Sequence, residues 1–252
     1  MRDKGFKDRG VMLLRTIEQL PVLVDLDIGF EGSANGRPVD PRGRFLRCQE
    51  LAELHSRTLT SLVVTMLDGS MEGNTPLQLN GLPELRSCDL LGDDEGETAM
   101  NIRIDAESFN GAPQLQSLCV SSDWTLQLQD GSLAQLTALT SLRLNWCGLR
   151  SVPADIAWLS KTLCELNLIM NYNLQLDKAA VARIVQCSRL QKLSLHQPDF
   201  SLWQDTVGNS WQSLMQQMHQ IPSLWSSESV SQLVLLPSAF HMRHGRYLQI
   251  IS

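Results

Sequence analysis

A leucine triplet spaced L-x-x-L-x-L recurs along this chain and constrains its fold more than any other feature. The clearest copy is Leu139, Leu142 and Leu144, followed by Cys147 and Leu149. The next is Leu163, Leu166 and Leu168, followed by Asn171 and Leu174. Weaker copies lie upstream at Leu23/Leu26/Ile28, Leu59/Leu62/Val64, Leu85/Cys88/Leu90 and Leu115/Leu118/Val120. Two more lie downstream, at Leu190/Leu193/Leu195 and Val230/Leu233/Leu235. First positions are evenly stepped from Leu115 through Leu139 and Leu163 to Leu190, whereas the wider steps from Leu23 to Leu59 and from Leu190 to Val230 carry insertions. One triplet means little in a chain with 43 leucines among 252 residues. Eight in order specify a repeat, and several follow a Leu20-Pro21, Leu82-Pro83, Ala112-Pro113 or Leu136-Thr137 step.

Each L-x-L alternates apolar with polar residues, the period of a half-buried strand. A single unit cannot bury its leucines, so neighbours must stack and share one core. Aromatic residues at only 6% fit the same demand, because layers of one shape need side chains of one size. The chain turns away from each strand at Glu31, Leu67, Asp93, Asp123, Cys147, Asn171, Pro198 and Ser238. Among the return segments, residues 177–187 read as a helix capped by Asp177, and 45–54 and 211–221 read as helices too. Residues 31–44, 92–97 and 201–229 read as surface loops. The organisation expected is an N-terminal extension or cap over 1–19, an array of about eight irregular repeats over 20–240, and a C-terminal tail or cap over 241–252.

The units at 139–147 and 163–171 resemble the L-x-x-L-x-L-x-x-(N/C) motif of the leucine-rich repeat family, intracellular type. Residues 148–159, with Leu149, Val152, Pro153 and Ile156, are similar to the x-L-P-x-x-L continuation of its plant-like or Ras-suppressor-like members. The resemblance covers nearly the whole chain. It implies an α/β solenoid, a curved horseshoe with a parallel sheet on its concave face. Helical, 3₁₀ and extended segments would share the convex face. In the family the Asn or Cys side chain satisfies backbone groups inside the turn, and only Cys147 and Asn171 match fully. The implied function is a non-catalytic scaffold that binds another protein. Two alternatives stand beside it. One is the substrate-recognition part of an F-box ubiquitin ligase, although no F-box-like stretch is read ahead of Leu20. The other is a fragment of a larger plant- or algal-type signalling protein.

Charge and cysteine usage narrow the setting. With 21 Lys+Arg against 27 Asp+Glu the net charge is -6, so the clustered cations of a nucleic-acid binder are missing. No apolar run approaches the roughly 20 residues that cross a bilayer, and no secretory signal precedes Leu20. The six cysteines are scattered without C-x-x-C spacing, and most replace an apolar residue of the repeat. They are expected to be small buried hydrophobes in a reducing, cytoplasmic compartment, with association to the cytoskeleton among the options. A monomer is expected.

Reactive constellations are sparse. His241 and His244 stand three apart without a third ligand nearby, and Asp93, Asp94, Glu95 and Glu97 lack the spacing of a calcium loop. His55, His196 and His219 lie far apart, with no nucleophile context. There is no phosphate-binding glycine loop and no nucleophile elbow. No enzyme activity, cofactor or metal is expected.

The residues that alternate with the core leucines should face outward from the sheet. One column reads Asp25, Ser61, Ser87, Ser117, Ser141, Glu165, Lys192, Gln232; the next reads Asp27, Val63, Asp89, Cys119, Arg143, Asn167, Ser194, Val234. Phe30, Met66, Leu91, Trp146, Ile169 and Met170 add large apolar groups beyond them, at positions with no core to enter. The binding site expected is Trp146 as anchor, with Arg143, Asn145, Asn167, Ile169, Met170, Met66 and His196 around it. The alternative is that these apolar groups pack on adjacent loops.

Overall fold

The computed structural model describes residues 17, 19–28, 46–47, 51–65, 67–68, 76–92, 101–121, 125–196, 232–236 and 249–251. The expected helix at 211–221, the loops at 31–44 and 201–229, and the acidic run at 93–97 lie outside them.

Every expected unit supplies one strand. In chain order these are β1 (Asp25–Ile28), β3 (Ser61–Thr65), β5 (Ser87–Leu91), β7 (Ser117–Ser121), β9 (Ser141–Asn145), β10 (Glu165–Leu168), β11 (Lys192–His196) and β12 (Gln232–Leu236). They join a nine-stranded sheet in that same order, each parallel to the next. The ninth strand, β13 (Gln249–Ile251), closes the far edge antiparallel to β12. Between them fall β2 (Leu46–Arg47), paired with β4 (Leu67–Asp68), and β6 (Asn101–Ile104), paired with β8 (Thr125–Leu128). The fold is α/β and repeat-like: a mainly parallel sheet, strand order equal to chain order, and few helices.

The repeat is visible in its backbone bonds. The carbonyls of Val24, Thr60, Arg86, Gln116, Thr140 and Cys164 each accept two successive amides from the next unit, such as Thr60 and Ser61 onto Val24 at 2.8 and 3.1 Å. The Leu-Pro and Ala-Pro steps are turns. Leu23, Leu85, Leu115 and Leu139 each donate their amide to the residue three before, Leu20, Leu82, Ala112 and Leu136. Proline or threonine occupies the second turn position, where the φ that a proline ring imposes is the one the turn requires.

One core runs between the main sheet and the return segments. The inward leucines of the main sheet, from Leu62 to Leu195, are sealed from solvent with Ile102, Ile104, Val152, Ile156, Val181 and Ile184 of the returns. Burying each large side chain contributes about 1.5–3 kcal/mol before entropy is counted. The return segments vary as expected: extended in β6 and β8, a 3₁₀ turn at Ala154–Ala157, and helix α1 at Lys178–Gln186. Asp177 caps α1, its carboxylate accepting the Ala180 amide at 2.7 Å. Gly111 permits close stacking, since a Cβ there would run into the Asn80 backbone. The expected helix over 45–54 is corrected at its start. Leu46–Arg47 is a strand held by its parallel partner Leu67–Asp68, and among the described residues of that stretch only Leu51 is helical. Leu67, expected at a turn, lies in that same pairing.

Candidate interaction face

The register places the outward columns as their spacing requires. Asp25, Ser61, Ser87, Ser117, Ser141, Glu165, Lys192 and Gln232 are successive partners across the sheet. The second column runs likewise from Asp27 to Val234. In β3, β5 and β9 core leucines, or Val64 and Cys88 in their place, alternate with half-buried outward residues.

A charged network ties three strands of this face together. The Glu165 carboxylate accepts the Ser141 hydroxyl at 2.9 Å and Arg143 Nη2 at 3.2 Å, and its other oxygen pairs with Lys192 Nζ at 2.9 Å. Burial pushes the Glu165 carboxyl up, but the Lys192, Ser141 and Arg143 contacts more than reverse this and leave it below the ordinary carboxylate value. Asp89, two strands away from Arg143, has the opposite balance: burial holds its carboxyl above the usual range, and the charge of Arg143 offsets only part of that. The sign for Glu165 follows from linkage. Its stabilisation is complete above the unfolded value of 4.5 and is lost as pH falls through the lower folded value. Glu165→Gln should therefore lower the melting temperature at neutral pH, and a pH series of thermal melts should show the deficit vanishing in acid.

Three outward residues are covered, contrary to expectation. Cys119 and Ser194 are only 6% and 3% exposed. Cys119 sits in register between Asp89 and Arg143, and their longer side chains leave its small thiol little access. Its burial and the Asp89 charge push the thiol up to about 11, which makes it a poor nucleophile. Ser194, equally short, stands in register between Asn167 and Val234. Met170, expected in solvent, is 6% exposed, with Sδ 3.9 Å from the Tyr172 hydroxyl.

The expected anchor is half-buried. Trp146 meets Tyr172 edge to face, ring centroids 5.7 Å apart at 82°. Trp146 and Met170 occupy equivalent turn positions in successive units, both left-handed at φ 58 and 63. The turn imposes this conformation, and it swings both side chains toward one corner at the end of β9 and β10. Packing against the next unit accounts for part of the apolar surface there. Tyr172 itself stays 52% exposed. The sequence reading misses it, and its place directly after the turn asparagine is the available signal. Asn145 and Asn167 flank this corner; Asn167 accepts the Ile169 amide at 3.2 Å, and the Asn145 side-chain oxygen is buried without a partner. Ile169 is half-buried, and its carbonyl accepts the Trp146 amide at 3.3 Å. Met66 and the His196 side chain lie outside the described residues, although the His196 backbone pairs with Leu236.

Beneath the corner, Asn171 is 2% exposed and bonds five backbone groups. Its oxygen accepts the amides of Cys147 and Leu149, each at 3.0 Å. Its nitrogen donates to the carbonyls of Leu144, Leu168 and Ile169 at 2.7, 3.0 and 3.3 Å. Cys147 takes the matching place one unit earlier, its thiol donating to Val120 and Asn145 carbonyls at 3.3 Å. Cys88, Cys147 and Cys187 are buried, and burial raises all three thiols. Among the described residues no group of His, Cys, Asp and Glu could hold a metal ion, and no helix is long and apolar enough to cross a membrane. No known protein family matches the chain, and no curated protein matches it in sequence.

Proposed function

We propose that this chain is an intracellular leucine-rich repeat solenoid that performs no catalysis and binds another protein on the concave face of its sheet. The observation that carries the reading is the strict register of the outward columns, which lays a continuous face over eight successive units with an aromatic corner at its middle. The Asn171 and Cys147 contacts support the family assignment, because a side chain that feeds the turn backbone of the unit before it gives one layer a reason to sit on the next. A parallel sheet whose strands follow one another in chain order is also what a stack of identical units produces.

Trp146 is the anchor, and Tyr172 joins it. An aromatic pair that is half-open and ringed by polar groups has the composition of an interface hot spot. The test compares partners captured from the native cell by the wild-type chain and by Trp146→Ala. Trp158→Ala serves as control, because Trp158 is 70% exposed on a return segment away from the face. Partners held by the wild type should be weakened about 30-fold or more by Trp146→Ala and left unchanged by Trp158→Ala. Equal retention by Trp146→Ala would overturn the reading.

A further inference from the structure

Resting on that reading, the charges on the face point to one kind of ligand: we infer that the partner presents a basic, extended segment, laid across the strands from β1 toward Trp146. The cations of the two outward columns are already used. Arg143 and Lys192 both pair with Glu165, so that network holds one net positive charge and sits at the Trp146 end of the face, away from β1. The remaining charges of the columns are all negative. Asp25 and Asp27 are exposed on β1 and Asp89 is half-buried on β5, and none of the three is in an ion pair among the described residues. Asp89 is the most demanding of them, because burial disfavours its charge and Arg143 answers it only in part. A cation brought from outside supplies what the fold omits there.

The surface between these charges is shaped for a main chain. Ser61, Ser87 and Ser117 form a row in register across β3, β5 and β7, small side chains that let a backbone approach and offer it hydrogen bonds. Asp27 and Asp89 stand two strands apart, roughly 10 Å, and β9, which leads into Trp146, is about 10 Å further on. An extended chain covers about 10 Å in about three residues. The ligand expected therefore carries two cationic side chains about three residues apart and an apolar side chain about three residues beyond them.

The experiment titrates the full chain, at low salt, into labelled Arg-Ser-Ser-Arg-Ser-Ser-Leu, its reversed sequence and a version with Glu for both Arg, and reads fluorescence anisotropy. One Arg peptide should bind and the Glu peptide should not. The double variant Asp27→Asn/Asp89→Asn should weaken the Arg peptide about tenfold. Asp130→Asn, in a turn off the face, should leave binding unchanged, and circular dichroism confirms that each variant is folded. Equal binding of the Glu peptide, no binding of either Arg peptide, or Arg-peptide binding indifferent to the double variant overturns the inference. If cellular partners are still lost with Trp146→Ala in that case, the scaffold reading stands and only the basic ligand falls. If the Arg peptide binds as described while Trp146→Ala keeps every partner, the acidic end of the face binds ligand without the aromatic corner, and the proposed anchor falls instead.

Discussion

Asn171→Ala is expected to cost about 3–5 kcal/mol of folding free energy and to lower the melting temperature by about 10 °C. The side chain is buried and serves two units at once. Its oxygen holds the amides of Cys147 and Leu149, and its nitrogen holds the carbonyls of Leu144, Leu168 and Ile169. Alanine removes all of these and leaves buried backbone groups with no water to replace the partner, which is the expensive way to lose a hydrogen bond. The amide is required because the turn presents donors on one side and carbonyls on the other. Asn171→Asp keeps the size but aims a charge at three carbonyls, so it should be at least as damaging as alanine and partly relieved in acid. Thermal and urea melts of the two variants would check this. A loss below about 1 kcal/mol in Asn171→Ala would mean that the turn stands without its asparagine.

The strands were legible in the chain because they repeat, whereas the role of Asn171 was implied only by the resemblance of its unit to the leucine-rich repeat motif. A period of two inside each unit and an even step from Leu115 to Leu139 to Leu163 place side chains by counting alone. The outward columns follow from the same count, and so does the equivalence of Trp146 with Met170. What counting misses is anything decided by a neighbouring layer. Cys119 and Ser194 lie in the predicted columns yet are covered, because exposure there depends on the residues beside them in register. Leu46–Arg47 is extended although its surroundings read as helix, since the partner that holds it, Leu67–Asp68, lies beyond the next strand of the sheet in sequence. The place of Trp146 at the end of its strand can be counted from the repeat; its contact with Tyr172 cannot, because an edge-to-face contact between one unit and the next leaves no periodic trace.

Asp155 shows the same limit at higher stakes. It is 3% exposed inside a 3₁₀ turn, a position where composition alone would put a solvated acid. Its carboxylate reaches back to the preceding unit, accepting the Gly131 amide at 2.7 Å, the Leu133 amide at 2.8 Å and the Ser132 hydroxyl at 3.0 Å. All three partners are donors, and no basic side chain is among them. Asp155→Ala should therefore cost about 2–4 kcal/mol, through lost charge-assisted bonds and orphaned amides in a turn that Gly131 makes with φ 85. The informative comparison is Asp155→Asn. The amide matches the carboxylate in shape but turns an NH₂ group toward a donor, so it should recover less than half of the alanine loss. Asn171 is expected to reject a carboxylate, and Asp155 to be replaced only poorly by an amide. Denaturant melts of the two swaps therefore test whether neighbouring units are joined by side chains matched in donor and acceptor to the backbone they meet. If Asp155→Asn melts like the wild type, the turn at Gly131 is held by packing and the carboxylate is incidental.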